Sequence, residues 1–180
     1  MFIDIVLALV VLAVIFVLVV SSRSSEFHVK QQVTIAAVAG IVFALVNDLH
    51  QWPDWSPWAE MDPNTVYTYS GPEAGEGAKV AWAGNKKMGE GNMTIVESRP
   101  CELVRIRLEF IKPFPAVNDV EFLFVPQGNQ TVITWTMTGH LNFVFKTAHL
   151  LMNMDKIVNG QFAHGLAKMK SLVENGGVTA

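Results

Sequence analysis

Hydrophobic positions along the chain follow three different patterns. From Met1 to Val20 every residue except Asp4 is apolar, which predicts a long helix without a polar face. The run Val33 to Val46 begins with strand-like alternation and continues with a helical stripe from Val38. Short alternating runs follow, and helical spacing returns near the C-terminus. We therefore expect an apolar leader and then a domain of the α+β class.

The leader is long enough to cross a membrane. At about 1.5 Å per residue, residues 1–22 form a helix of about 33 Å, against about 30 Å for a hydrocarbon core. A cleaved signal peptide is the alternative, but it normally begins with Lys or Arg, and no A-x-A site follows here. We predict a single-pass transmembrane anchor. Because Arg23 and Lys30 follow it and no basic residue precedes it, the domain is expected on the cytoplasmic side of the membrane.

The second apolar run is short for a membrane span. Its 14 residues from Val33 to Val46 give a helix of about 21 Å, which is more typical of a core element. We interpret it as a strand followed by a core helix, with a membrane hairpin as the alternative. Asp48 to Pro63 contains three prolines and three tryptophans and predicts a loop with short helical turns.

Six further runs have the alternation of half-buried strands, which predicts a meandering antiparallel sheet. They are Val66–Tyr69, Lys79–Gly84, Met88–Glu97, Leu103–Ile111, Val117–Val125 and Thr131–Gly139. Asn142 to Glu174 predicts one long helix, with a bend near Gly160, laid on the apolar face of the sheet. We divide the chain into an anchor (1–22), a juxtamembrane linker (23–27), the domain (28–174) and a tail (175–180).

The order of these motifs resembles one family. Its parts are Asn47-Asp48-x-x-x-Trp52-x-x-Trp55-Ser56-Pro57-Trp58, Ser70-Gly71-Pro72-x-x-Gly75-x-Gly77-Ala78, Trp82-x-Gly84-Asn85-x-x-x-Gly89-x-Gly91, Lys112-Pro113-Phe114, Thr134-Trp135-x-Met137-x-Gly139 and Met154-Asp155-Lys156. Together they resemble the polyketide cyclase/dehydrase branch of the START-like (SRPBCC) superfamily over about residues 28–173. The resemblance implies a helix-grip fold: a seven-stranded curved antiparallel sheet around a long C-terminal helix, with an apolar cavity between them. It implies no particular reaction, because this fold carries both ligand carriers and enzymes.

Nine aromatic residues are candidates for binding an apolar ligand. Plain core packing is the competing interpretation, since aromatic side chains dominate cores, whereas the resemblance favours a ligand cavity. For the three tryptophans of the loop, gating of the cavity, contact with the membrane interface and capping of the helix–sheet layer remain open. The candidates are Trp52, Trp55, Trp58, Trp82, Phe110, Phe122, Phe124, Trp135 and Phe162.

Two carboxylates are weak catalytic candidates. Glu90 flanks a small, apolar strand and Asp155 lies in the last helix; a buried acid there could serve as a general base for an aldol-type cyclisation. A solvated glutamate and a helix-surface aspartate are the ordinary interpretation of both. The sequence has no metal-binding histidine spacing and no nucleotide fingerprint, so we expect no metal and no cofactor.

Composition excludes other classes of function. A net charge of −3 lacks the basic footprint of a nucleic-acid binder, and one cysteine excludes an internal disulfide. Three hypotheses remain. The first is a membrane-anchored carrier or sensor whose partner is a hydrophobic small molecule, such as a lipid, an isoprenoid or a polyketide-like compound. The second is a cyclase or dehydratase that uses a cavity carboxylate. The third is a protein-interaction module with a vestigial cavity.

Overall fold

The computed structural model describes residues 2–152 and 154–176, except for the side chains of His149, Leu151 and Asp155. The helices are α1 (Phe2–Ser22), α2 (Ala39–Asn47), α3 (Trp52–Trp55), α4 (Phe143–Met152) and α5 (Met154–Glu174). The strands are β1 (Glu26–Ile35), β2 (Val66–Ser70), β3 (Lys79–Ala83), β4 (Glu90–Arg99), β5 (Leu103–Lys112), β6 (Ala116–Gln127) and β7 (Gln130–His140).

The seven strands form a single curved sheet in the order β1-β7-β6-β5-β4-β3-β2, and every neighbouring pair is antiparallel. Strands β2 to β7 follow one another as a meander, and β1 closes the far edge by pairing with β7. Register shifts at Glu90/Gly91 and Ile95/Glu97 interrupt the β4–β5 ladder, and such bulges bend a strand. The predicted α+β helix-grip architecture is confirmed.

Helix α5 packs on the concave face of the sheet through an apolar stripe that includes Phe162, Leu166 and Met169, all at most 1% exposed. Polar contacts fix its C-terminal end against the edge strand. Lys170 Nζ donates to the Thr34 carbonyl at 2.8 Å, and Glu174 Oε1 accepts from the Ala36 backbone N–H at 2.8 Å. The helix therefore closes one side of the sheet.

The second apolar run is a core element, as expected. Helix α2 buries Val42, Leu45 and Val46 against the domain, which excludes the membrane-hairpin alternative for these residues. The Asp48–Pro63 segment contains α3 and two 3₁₀ turns, as the prolines predicted.

One boundary differs from the expectation. Strand β1 begins at Glu26, inside the segment predicted as a linker, because its first residues already pair with the end of β7. The predicted helical region is described as α4 and α5, on either side of residue 153, which lies outside the described residues, and Gly160 lies inside α5. Of the predicted tail, residues 177–180 lie outside the described residues.

Helix α1 is, among the described residues, the one helix long and apolar enough to cross a bilayer. Its apolar side chains project away from the domain; Phe2 is 80% exposed and Val10 54% exposed. The exception is Val20, which is fully buried. Because α1 also contacts α4, its C-terminal end lies directly against the domain.

Candidate ligand cavity

A cavity of about 340 Å³ lies between the concave face of the sheet and α5. Its wall is mostly apolar and includes Val29 on β1, Leu108 on β5, Val120 on β6 and Met137 on β7. Helix α5 contributes Val158. The predicted apolar space between sheet and helix is therefore present.

The cavity occupies the half of the sheet nearer α1. Antiparallel order places the start of β1, the end of β7, the start of β6 and the end of β5 at one end, because each pair runs in opposite directions. The lining residues Phe27, Ala116, Phe110 and Leu141 come from this end. At the other end, Phe124 and Ile133 are at most 3% exposed in solid packing. The concave face is thus half hollow and half filled.

The structure divides the nine aromatic candidates between these halves. Five line the cavity: Trp52, Trp58, Trp82, Phe110 and Trp135. The other four do not line it and are at most 3% exposed in the core: Trp55, Phe122, Phe124 and Phe162. Alternation along β6 could not separate the two groups, because Asn118, Val120 and Phe122 all face inward on the same strand.

Trp135 forms the boundary between cavity and core. Its ring stacks on Phe162 with centroids 3.9 Å apart and on Phe122 at 5.0 Å. Trp55 and Trp58 meet the same ring edge-on at 5.5 and 5.6 Å. Aromatic pairs in these geometries are worth about 0.5–1.5 kcal/mol each beyond the area they bury. This cluster makes a rigid floor for the cavity.

The loop tryptophans are held by α2. Trp52 Nε1 donates to the Val46 carbonyl and Trp55 Nε1 to the Leu45 carbonyl, each at 3.0 Å. These carbonyls lie at the C-terminal end of α2, where carbonyls lack helical partners. Both indoles are at most 5% exposed, which excludes the membrane-interface alternative for them. Trp58 is partly buried and lines the cavity.

Three buried polar atoms have no hydrogen-bond partner among the described residues: Trp82 Nε1, Trp135 Nε1 and Asn118 Oδ1. All three residues line the cavity. Such an atom costs about 1–3 kcal/mol when it stays unpaired. Asn118 is 5% exposed and was missed from the sequence, although it stands at an inward position of β6 where an apolar residue is expected.

Two glycines leave room for these side chains. A Cβ at Gly139 would collide with Asn118 Oδ1 and would lie 2.6 Å from a ring carbon of Phe27. A Cβ at Gly91 would collide with the Trp82 ring and lie 2.5 Å from a Glu109 carbonyl. Neither glycine has a positive φ. Each position requires glycine because a neighbouring side chain lies too close to the backbone to leave room for a Cβ.

Of the two carboxylate candidates, the one whose side chain is described does not line the cavity. Glu90 lies at the start of β4 and pairs with Lys112, with Oε1 and Nζ 2.9 Å apart, and it does not line the cavity. Asp155 lies in α5, but its side chain is outside the described residues. Among the titratable groups that line the cavity, burial raises the pKa of the Tyr67 phenol, and a hydrogen bond with Thr65 partly opposes this.

An ion-pair cluster fastens the loop to α5 beside the cavity. Glu60 lies 2.7 Å from Lys168 Nζ and 3.3 Å from His164 Nε2. The hydrogen bond from Lys168 is the main reason that the pKa of Glu60 lies below its usual value. Among the described residues, no group of three or more His, Cys, Asp or Glu side chains is placed to hold a metal ion.

A second, open pocket of about 290 Å³ lies at the outer edge of β2 and β3. It is lined by His50, which stacks on Tyr69 with ring centroids 4.0 Å apart. The Asp48 carboxylate accepts from both the backbone N–H and Nδ1 of His50, each at 2.9 Å. This pairing caps a local turn. The polar groups of His50 and Asp48 are therefore used within the loop itself.

The sequence profile of the family described as "Polyketide cyclase / dehydrase and lipid transport" matches residues 26–174. A comparison with curated proteins finds no match. Among solved structures, norcoclaurine synthase from Thalictrum flavum, in complex with dopamine and hydroxybenzaldehyde, is 14% identical with a TM-score of 0.60. That match covers 86% of this chain and 90% of the synthase.

Two other structures have the same fold. A START superfamily protein from Mycobacterium smegmatis is 14% identical, with a TM-score of 0.58 over 82% of this chain and 97% of its own. The Aha1 dimer from Colwellia psychrerythraea is 16% identical, with a TM-score of 0.58 over 83% and 98%. At such identities these likenesses show the fold alone, whereas the profile match covers most of the chain. The chain therefore belongs to the family of polyketide cyclases, dehydrases and lipid-transport proteins.

Proposed function

We propose that this protein binds a hydrophobic small molecule in the cavity and holds it at a membrane to which α1 anchors the domain. The observation that carries the proposal is the apolar space of about 340 Å³ between the sheet and α5. It falls within the range of about 300–1,000 Å³ that is typical of small-molecule sites.

The volume limits the ligand. At about 30 Å³ per water, the cavity corresponds to roughly eleven water volumes, so a chain of about ten carbons fits. Burying ten methylenes yields about 8 kcal/mol, from which association subtracts at least about 4 kcal/mol. The remainder, at most about 4 kcal/mol, corresponds to a millimolar or weaker dissociation constant for the bare chain. Such weak binding suits exchange with a bilayer.

The unpaired polar atoms refine the ligand class. An indole N–H can only donate, whereas an amide oxygen accepts. A hydroxyl group on an otherwise apolar ligand satisfies either kind of atom, so we expect an amphiphile to bind more tightly than an alkane. Each hydrogen bond made to such an atom recovers part of the cost of leaving it unpaired, about 1–3 kcal/mol. Asn118→Leu should weaken binding of 10-bromodecanol and leave that of bromodecane unchanged.

The position of the cavity supports the membrane part of the proposal. Helix α1 leaves the domain at the end of the sheet that is hollow, and its buried Val20 lies at that junction. No long linker separates them, because β1 begins at Glu26. An anchor of this kind raises the effective concentration of the cavity near membrane-dissolved ligands.

Tryptophan quenching tests the proposal. All five tryptophans lie between residues 52 and 135 and none lies in α1, so their fluorescence reports on the domain. Four of the five line the cavity. Bromodecane, whose bromine quenches indoles on contact, is titrated against the full chain in lipid nanodiscs. We expect saturable quenching.

A matched pair of variants on β6 supplies the control. Val120 lines the cavity, so Val120→Phe fills part of it and should abolish saturable quenching. Val117 is 48% exposed on the opposite face of the same strand, so Val117→Phe should bind like the wild type. Equal quenching in both variants, or none in the wild type, would refute the proposal.

The other two hypotheses have less support. No observation favours a cyclase or dehydratase that uses Glu90, because this carboxylate pairs with Lys112 outside the cavity. A vestigial cavity is a poor description of a space of about 340 Å³. We therefore retain ligand binding as the proposed function.

A further inference from the structure

Eight large apolar side chains outside α1 are exposed on three neighbouring elements at the hollow end of the domain. They belong to the β5–β6 turn with its flanking strand residues, to α4 and to the start of α5. We call this set the apolar cap. Its members are between 36% and 61% exposed: Ile111, Phe114, Val117, Phe143, Val144, Leu150, Met152 and Ile157.

The apolar cap lies beside the end of α1. Helix α4, which carries half of it, contacts α1 directly. The Leu141 backbone N–H, two residues before α4, donates to the Ser25 carbonyl at 2.6 Å. The cap and the apolar surface of α1 are therefore neighbours, and a bilayer that surrounds α1 reaches the cap.

The same elements cover the mouth of the cavity. Leu141, Phe145 and Met154 line the cavity from the cap side. The Phe145 ring meets Phe114 edge-on, with centroids 5.9 Å apart, which joins α4 to the β5–β6 turn. This ring pair closes the space between the two elements, while Phe143 and Val144 on the same helix point outward and are exposed.

We propose that the apolar cap inserts into the interfacial layer of the bilayer that holds α1, and that ligand passes beneath α4 between bilayer and cavity. The passage part rests on the ligand binding of the proposed function, and the insertion part rests only on its membrane anchor. A lipid surface is the occupant that fits, because these exposed apolar side chains lie beside the apolar surface of α1, and large exposed apolar surfaces mark interaction sites. Lys146 on α4 can extend its ammonium group to the phosphate layer while its neighbours stay in the acyl region.

Site-directed fluorescence tests insertion. The one native cysteine is replaced (Cys101→Ser), and an environment-sensitive dye is attached to the full chain in nanodiscs at Val144→Cys or at Asn129→Cys. Asn129 is exposed in the β6–β7 turn, at the opposite end of the sheet. Lipids brominated near the headgroup should quench the dye at 144 and leave the dye at 129 unquenched. Equal quenching at the two sites would overturn the insertion.

Transfer kinetics test the passage. Donor vesicles loaded with bromodecane are mixed with nanodiscs that hold the full chain, and the rate of tryptophan quenching is followed. We expect Val144→Glu to slow uptake up to about fivefold, since a charge at a lipid-facing position near the membrane interface costs up to about 1 kcal/mol. Occupancy at equilibrium should stay unchanged because position 144 does not line the cavity. Val125→Glu, equally exposed at the filled end of β6, should behave like the wild type.

These outcomes separate the two proposals. An unchanged rate in Val144→Glu would overturn passage beneath α4. Absence of any quenching in the wild type would instead refute ligand binding. The dye measurement at position 144 would still decide insertion by itself.

Discussion

Two phenylalanines on the concave face of the sheet should contribute very different amounts to the free energy of unfolding. Phe122 on β6 is fully buried and its ring lies 5.0 Å from Trp135 and 5.8 Å from Trp52. Phe110 on β5 is partly buried, lines the cavity and meets Trp82 edge-on at 5.9 Å. The same change to alanine therefore removes a ring from solid packing in one case and from the wall of an existing space in the other.

The expected costs follow from that difference. Phe→Ala in a dense core costs about 3–5 kcal/mol, because it loses transfer free energy and leaves a new void. We expect this cost for Phe122→Ala. At Phe110 the ring already borders a void, so only part of the transfer free energy is lost, about 1–2 kcal/mol.

Urea unfolding of the full chain in nanodiscs, followed by far-UV circular dichroism, measures both costs from the midpoint and slope. The measurement is made without added ligand. Costs that agree within about 0.5 kcal/mol would refute the division of the concave face into a filled and a hollow half.

Three further predictions concern α5, the tyrosines and the loop. Gly165→Ala should destabilise the domain, because the new Cβ lies 2.9 Å from a Pro57 ring carbon, whereas Gly160→Ala on the same helix meets nothing and should stabilise it by about 1 kcal/mol in thermal unfolding. Both tyrosines of the chain should ionise above the usual value near 10 in an ultraviolet titration, because burial raises the pKa of each phenol. The stability that these neutral phenols contribute is fully present below about pH 10, and it is lost as the pH rises through their raised pKa values. The pKa of Glu60 is lowered from its usual value of about 4.5, so its contribution to stability is fully present above that value and is lost as the pH falls through the lower pKa of the folded state; Glu60→Gln should remove this acid sensitivity.

Much of the fold could be predicted from the sequence. Alternation identified the six strands of the meander, because in most of them buried or half-buried positions alternate with exposed ones, and α5 was predicted from its apolar stripe. The start of β1 was missed, since Glu26 and His28 carry no apolar signal and their pairing with β7 is a long-range contact.

The candidate site was less predictable. Alternation shows which side chains face inward, but it cannot show whether the inward space is filled, which depends on how far α5 stands from the sheet. Phe110 and Phe122 follow the same pattern on neighbouring strands and lie in opposite halves. Asn118 breaks the pattern, and Gly139 opposite it leaves the space that the amide occupies. Together these two residues are the sequence signal from which a polar position in the cavity wall could have been predicted.

The proposed function is tested most directly by native mass spectrometry of the full chain released from nanodiscs that were equilibrated with excess 10-bromodecanol. We predict that the wild type and Val117→Phe carry one bound molecule of this amphiphile, and that Val120→Phe, which fills the cavity, carries none. A wild-type protein without the adduct, or an equal adduct on Val120→Phe, would contradict the account.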